Sequence, residues 1–313
     1  MADRLLVLAW HAVDRTWEYP CQPGAGSRGF ARQLRWLHRV ANVVPLDSSL
    51  DDLHAGRPLP PRAVALTFDD GYRDNLDLGV PLLERLGLPA TFFLVPGILS
   101  QEVRPWWEVL GWAFARSSRT VVEWSGMALR TGAEPGRRSR RLVAERLKQL
   151  DRADRDRMVA ELCELLAPEG TFDSDRLFLD WAGARELVRR GFSVGSHSMY
   201  HSILSREEVD RQVEDLAASR QLLERELDVR VRLLAYPNGA RGDYDAGTLL
   251  AAERAGYTHS LTVRPGLNNS STPAHEGRRV VLAPDERVWQ AAVRRVTGKL
   301  VRVTRQRLVE TLG

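Results

Sequence analysis

Two carboxylates stand side by side at the end of an apolar run: residues 64–68 are strand-formers, and Asp69, Asp70 and Gly71 follow them directly. Adjacent carboxylates repel each other unless a cation or a shared proton intervenes, which points to a metal site or an acid/base dyad. An Asp-Asp-Gly tripeptide on its own is also ordinary solvated turn chemistry. A second feature downstream shifts the balance. His197 and His201 are spaced i, i+4, so two imidazoles can converge on one ion from a helix or a tight loop. Two nitrogens with one or two oxygens form a ligand set for zinc or a similar divalent ion, with positions left open. An ion held in this way lowers the pKa of water toward about 7 and polarises an acyl carbonyl, as hydrolysis requires. Two histidines and one carboxylate also serve non-heme iron oxygenases. The doubled aspartate favours hydrolysis.

The surrounding pattern indicates what positions these groups. Short apolar runs at 5–10, 43–44, 64–68, 90–95, 192–194, 229–235, 257–263 and 279–282 read as strands. Between them, 28–40, 51–53, 75–86, 181–190, 206–227 and 246–255 read as helices. Such alternation implies an α/β fold, a parallel sheet or barrel with its chemistry at the carboxyl ends of the strands. From 99 to 176 the rhythm changes to a mostly helical insertion between barrel segments 1–98 and 177–284. Trp106, Trp107 and Trp112 open an amphipathic helix there, 121–130 reads as a hairpin or short strands, and 138–166 as a charged, leucine-spaced helix. The tryptophan pair suits packing against the barrel wall, or a wall for stacking sugar rings. At the end, 285–313 reads as a basic amphipathic helix with Trp289, Val293, Val296, Leu300 and Val303 on one stripe and Arg294, Arg295, Lys299, Arg302 and Arg305 largely on others. That helix either docks on the body or meets anionic lipid headgroups.

Composition narrows the function. With 43% hydrophobic residues in 313, the chain can fill a proper core. Its 45 basic and 41 acidic residues leave a net charge of only +4, which argues against a nucleic-acid partner. Cys21 and Cys163 lie far apart without metal spacing and read as free thiols. His11 interrupts the N-terminal apolar run of residues 5–10, which is too short for a signal-peptide core. A cytoplasmic protein is expected, with the C-terminal helix as its possible contact with the inner membrane face.

At the motif level, Thr67-Phe68-Asp69-Asp70-Gly71-Tyr72 and His197-Ser198-Met199-Tyr200-His201 together resemble the first two motifs of the polysaccharide deacetylase family, the NodB-homology group of carbohydrate esterase family 4. Residues 233–239, ending Ala235-Tyr236-Pro237-Asn238-Gly239, resemble its Arg-x-Pro-Tyr-Gly loop in the variant form Phe-Ala-Tyr-Pro-Tyr-Gly. The resemblance spans about 4–98 and 176–284. It implies a distorted (β/α)7-type barrel and one divalent ion, zinc before cobalt, nickel or manganese. It makes Asp70, His197 and His201 the metal ligands and Asp69 the general base, and assigns Tyr236, Pro237, Asn238 and Gly239 to substrate and oxyanion binding, the last through the Asn238 backbone N–H. The implied substrate is an N-acetylated amino sugar of a surface glycan or its precursor, lipid- or nucleotide-linked forms included.

Two departures stand out. Where many members carry an arginine paired to the base, this chain has Ala235, and Arg279 is the candidate replacement. The late Leu-x-His motif that supplies the acid is absent after Arg279, while residues 6–11, ending Trp10-His11, resemble that motif moved to the N-terminus as in the circularly permuted branch. His11 is therefore the expected general acid. His38, His54, His259 and His275 have no spacing that singles them out. Alternative readings are an amidohydrolase of a small non-sugar amide, and a degenerate glycan-binding member, the latter suggested by Ala235.

Overall fold

A computed structural model describes residues 3–19, 21, 24–288, 290, 291 and 295. The apolar stripe of Trp289, Val293, Val296, Leu300 and Val303 expected of a C-terminal helix lies outside the described residues. So do Arg294, Lys299, Arg302 and Arg305. Arg295 is described, and its guanidinium binds both oxygens of Glu286 at 3.0 Å.

Strands and helices alternate as β1 (Leu5–Trp10), α1 (Ala25–Val40), β2 (Asn42–Val43), α2 (Leu46–His54), β3 (Ala63–Phe68), α3 (Val80–Leu86) and β4 (Thr91–Leu94). The short α4 (Pro96–Leu99) leads into α5 (Trp106–Arg116), the hairpin β5 (Val121–Trp124) and β6 (Met127–Arg130), α6 (Arg137–Leu147) and α7 (Arg152–Leu166). The first rhythm then resumes with α8 (Trp181–Arg189), β7 (Ser193–Ser196), α9 (Val209–Leu227), β8 (Leu233–Ala235), α10 (Ala246–Arg254), β9 (His259–Leu261) and β10 (Val280–Val281).

The seven-strand path β10-β1-β3-β4-β7-β8-β9 is parallel throughout. β2 pairs with the first two residues of β3 and β4 with its last two, so the two strands share one edge of β3. A parallel bridge from Leu261 to Gly277 brings the segment before β10 back to β9, and the sheet curls on itself. This is the expected distorted (β/α) barrel. Strand parity divides the side chains. Leu5, Val7, Ala63, Ala65, Phe93, Leu233, Ala235 and Leu261 form one cluster inside the barrel. Their neighbours Leu6, Leu8, Val64, Leu66, Phe92 and Leu234 pack outward with helix residues such as Phe30, Leu83 and Leu216. Residues covered on both faces explain why β1 and β3 read as unbroken apolar runs rather than alternating ones.

Several elements differ from the sequence reading: the helix expected at 51–53 runs Leu46–His54, and the strand expected at 229–235 is only Leu233–Ala235. The helix expected over 75–86 opens with a π-turn at Asn75–Gly79, in which the Val80 N–H bonds the Asn75 carbonyl. Pro81, in the first turn of α3, has no N–H to give an i→i−4 bond, so the chain widens there before the α-helix begins. The single helix expected over 138–166 is two helices, because the Asp151 side chain accepts the Asp154 N–H and caps a new start. The strand expected at 192–194 runs Ser193–Ser196, directly into the first histidine.

Helices α5–α7 and the hairpin enclose their own apolar cluster, including Trp106, Leu110, Phe114, Val143, Leu147 and Leu162. Glu108 of α5 joins that body to the barrel. Its Oε1 accepts the Tyr72 hydroxyl at 2.9 Å, and its Oε2 accepts the backbone N–H groups of Trp17 and Glu18 at 2.9 and 3.1 Å. Burial raises the Glu108 carboxyl from 4.5 to about 7 in spite of hydrogen bonds from Thr16, Tyr72 and the Glu18 backbone. Between those values the folded chain keeps a proton that the unfolded chain has lost. Its contribution to stability is therefore largest below pH 4.5, falls as pH rises toward 7 and is level above. Denaturant unfolding at a series of pH values should show the parent losing about 3 kcal/mol relative to Glu108→Gln across this window. A pH-independent difference would show that Glu108 is ionised throughout.

Candidate metal centre and active site

Asp69 continues the inward parity of Ala63, Ala65 and Thr67, and points into the barrel. There Arg279, at the entry to β10, places Nη1 2.7 Å from Asp69 Oδ1. Both side chains are fully buried, at 0% and 1% exposure. Arg279 is held by the Thr262 carbonyl, 3.1 Å from Nε, and its guanidinium lies over the Phe93 ring at 5.5 Å. A Cβ at Gly195 would stand 2.4 Å from that ring, so the glycine makes room for the stack. Burial would raise the Asp69 carboxyl, but the Arg279 guanidinium outweighs it and holds the group below its ordinary range.

Asp70 faces elsewhere because its backbone is left-handed, with φ 72°. Its Oδ1 lies 3.3 Å from Nε2 of His197 and 3.3 Å from Nε2 of His201. The oxygen is buried yet has no hydrogen-bond partner among the described residues. His197 leaves β7 with its backbone N–H on the Leu94 carbonyl at 2.8 Å, and its Nδ1 lies 2.7 Å from the Ala235 carbonyl. That contact places the ring proton on Nδ1 and leaves the Nε2 lone pair free. Ser198 and His201 are left-handed at φ 63° and 51°, so a tight loop rather than a helix brings the two imidazoles together. Their ligand atoms and that of Asp70 lie within 4.8 Å of one another, the one such trio of His, Cys or acidic groups among the described residues. Burial takes His201 down to about 4 against the pull of Asp70, which keeps its imidazole neutral near pH 7. An orphaned carboxylate oxygen facing two imidazole nitrogens fits a divalent ion.

A cavity of about 130 Å³ opens beside these groups. His11, Asp70, His201 and Asn238 line it, with Glu18, Tyr19, Trp106, Trp107, Leu110, Ala144 and Lys148. His11 follows β1, whose Trp10 pairs with Phe68 of β3, so it emerges beside the two aspartates. The segment just past Asp70 fixes the backbone there. Asn75 Nδ2 donates to the His11 carbonyl at 2.8 Å, and Asp74 Oδ2 accepts the N–H groups of Val13 and Asp14 at 2.9 and 2.7 Å. Asn238 is left-handed, at φ 55°, and among the described residues no acceptor engages its backbone N–H.

Among the expected site residues, Asp69, His197, Tyr236, Pro237 and Gly239 do not line the cavity. The Tyr236 hydroxyl donates to the His275 carbonyl at 3.1 Å, and its ring stacks on Tyr244, because strand parity turns it to the outer layer. His54 and His259 pack against each other at a tilt of 42° away from the cavity, with His259 bonded to Asp51. Trp107 both packs and faces the cavity: its Nε1 donates to the Tyr72 hydroxyl at 2.7 Å and its ring centroid lies 4.2 Å from that of His201. Sequence reasoning missed Glu18, which pairs with Arg140, and Lys148. Neither lies in a motif, and only the folding of the insertion over the barrel mouth brings them in.

A family model described as polysaccharide deacetylase matches residues 56–260, more than half of the chain. The chain belongs to the polysaccharide deacetylase family. Among curated members of similar sequence, YxkH of Bacillus subtilis (strain 168), provisionally named a polysaccharide deacetylase, is 22% identical over 257 residues. That match takes in 82% of this chain, which spans 64% of the length of YxkH. Two solved structures share the family's fold with it. The Streptococcus pyogenes deacetylase PplD, solved with acetate, superposes with a TM-score of 0.60 at 16% identity, covering 90% of this chain and 93% of PplD. The deacetylase domain of BpsB from Bordetella bronchiseptica gives 0.58 at 20% identity, covering 90% and 96%.

In this member the buried Asp69–Arg279 pair should be strongly coupled. Arg279→Met leaves a buried carboxylate without its counter-ion and should cost about 3–5 kcal/mol in denaturant unfolding. Adding Asp69→Asn should recover much of the loss, since the double variant buries no lone charge. Additive losses would show that Arg279 does not compensate Asp69.

Proposed function

We propose that this chain is a metal-dependent hydrolase that removes an N-acetyl group from an amino sugar of a surface glycan or its precursor. The observation that carries this reading is the division of labour between two adjacent buried aspartates: Asp69 is paired with Arg279 behind the cavity wall, and Asp70 faces two histidines and lines the cavity together with His11. Asp70, His197 and His201 would hold the ion, zinc before cobalt, nickel or manganese. When bound, it supplies Lewis-acid polarisation of the acyl oxygen and a lowered pKa for water.

The chain's own groups complete the reaction. Asp69, kept ionised and oriented by Arg279, takes a proton from water as the water oxygen bonds to the acyl carbon. The carbonyl electron pair moves to oxygen, and the unengaged Asn238 N–H receives the developing charge. His11 then protonates the nitrogen as the C–N bond breaks, releasing acetate and a free amine. In this assignment the acid motif has moved to the first strand. Trp106 and Trp107 offer aromatic faces, and Glu18 and Lys148 offer polar groups, a combination suited to a sugar ring. Arg279 beside Asp69 also removes the motive for a degenerate glycan binder, because the base no longer lacks its partner.

Incubating metal-loaded protein with free, nucleotide-linked and lipid-linked N-acetylhexosamines should release acetate from at least one. Asp69→Asn should keep its metal and lose about a hundredfold or more in turnover. His11→Ala should lose the alkaline limb of the pH–rate profile. Undiminished turnover in Asp69→Asn, or an unchanged alkaline limb in His11→Ala, would move that role to another group.

A further inference from the structure

The two histidines of the site are held by different means. His197 has the usual support, an Nδ1 contact with a backbone carbonyl. His201 does not, since its Nδ1 is buried without a hydrogen-bond partner among the described residues. Its backbone is also in the less favourable left-handed region. Something else must hold this ring if it is to meet Asp70 and His197.

What reaches it comes from the insertion. Arg155 of α7 is buried, at 1% side-chain exposure, and its Nη1 donates to the His201 carbonyl at 3.1 Å. Its carboxylate partner is Asp156, the next residue, which is 46% exposed. That pair could form equally well in solvent, so it does not account for the burial of the guanidinium, which carries a desolvation cost. Outside its own helix, Arg155 contacts the His201 carbonyl and the Trp106 ring, 5.6 Å from the guanidinium. The next residue, Trp107, packs against the His201 ring at a tilt of 42°, with centroids 4.2 Å apart. Opposite, Asp215 of α9 accepts the Met199 N–H at 2.6 Å, so the loop between the histidines is tied to the barrel as well.

We infer that Arg155 is a positioning residue for the metal centre: by fixing the His201 peptide it takes the place of the missing ring hydrogen bond, and makes the insertion an integral part of the ligand set. This inference rests on the reading of Asp70, His197 and His201 as metal ligands. It concerns how one ligand is held.

The test is the metal dissociation constant, measured by chelator competition and by cobalt(II) absorption on the full chain. Arg155→Met keeps the length of the stem and removes the fork. It should weaken binding about 10–100-fold, the usual loss for an outer partner of a ligand, while turnover recovers substantially at saturating metal. Arg155→Lys keeps the charge without the fork and should fall between Arg155→Met and the parent. Arg157→Gln, on the exposed side of the same helix, should match the parent. Circular dichroism identifies the folded variants, and a merely structural role would lower their melting temperature without moving the dissociation constant. Parent-like affinity in either folded Arg155 variant overturns the inference. A parent that binds no divalent ion instead overturns the metal reading beneath it.

Discussion

Two neighbouring carboxylates buried in one wall stay ionised together only where positive charge offsets their repulsion. At about 4 Å and an effective dielectric of about 20, two like unit charges repel by about 4 kcal/mol, a large part of a domain's stability. The fold meets this constraint by separating them. Strand parity sends Asp69 into the barrel, and a left-handed residue turns Asp70 out of it. Asp69 takes a fixed cation, Arg279, and Asp70 faces two neutral-capable imidazoles. The first arrangement keeps a carboxylate ionised and in place. The second leaves a negative oxygen that a divalent ion would satisfy.

Much of the remaining structure follows from that division. β10 must pair with β1 for Arg279 to reach Asp69, and the bridge from Gly277 to Leu261 curls the sheet far enough to bring it there. Gly195 leaves space for the Phe93 ring on which the guanidinium lies. The barrel supplies the chemically active groups, but it does not enclose them. Helices α5 and α6 add the wall of Trp106, Trp107, Leu110 and Ala144, with Lys148 at the C-terminal cap of α6, and Glu108 ties that wall to Tyr72, two residues after Asp70. The cavity wall and the positions of Asp70 and His201 therefore share one set of contacts.

The parallel barrel was legible because strands covered on both faces leave continuous apolar runs, as in 5–10 and 64–68, and because the site residues end them. His197, His201 and the aspartate pair could be grouped from residue type and spacing, whereas the choice of Asp70 over Asp69 as the ligand came from the family resemblance. Arg279 was a weak candidate, since its pairing with Asp69 spans 210 residues and depends on closure of the sheet, which no local pattern records. Tyr236 was assigned to the site with its loop, although parity places its ring in the outer layer. The break before α7 was available in Asp151, whose capping role the leucine spacing obscured. Glu18, Lys148 and Arg155 could not be found locally. Each reaches the site only through packing between the insertion and the barrel.

The central claim is that Asp70, His197 and His201 hold one divalent ion. X-ray absorption at the zinc edge of the loaded protein, with metal content by mass spectrometry, tests it most directly. The account predicts one ion per chain, a shell of nitrogen and oxygen alone at about 2.0–2.2 Å with two imidazoles, and loss of the ion in His201→Ala with the fold intact. A sulfur-containing shell, or one-to-one binding that survives in folded His201→Ala, would contradict it.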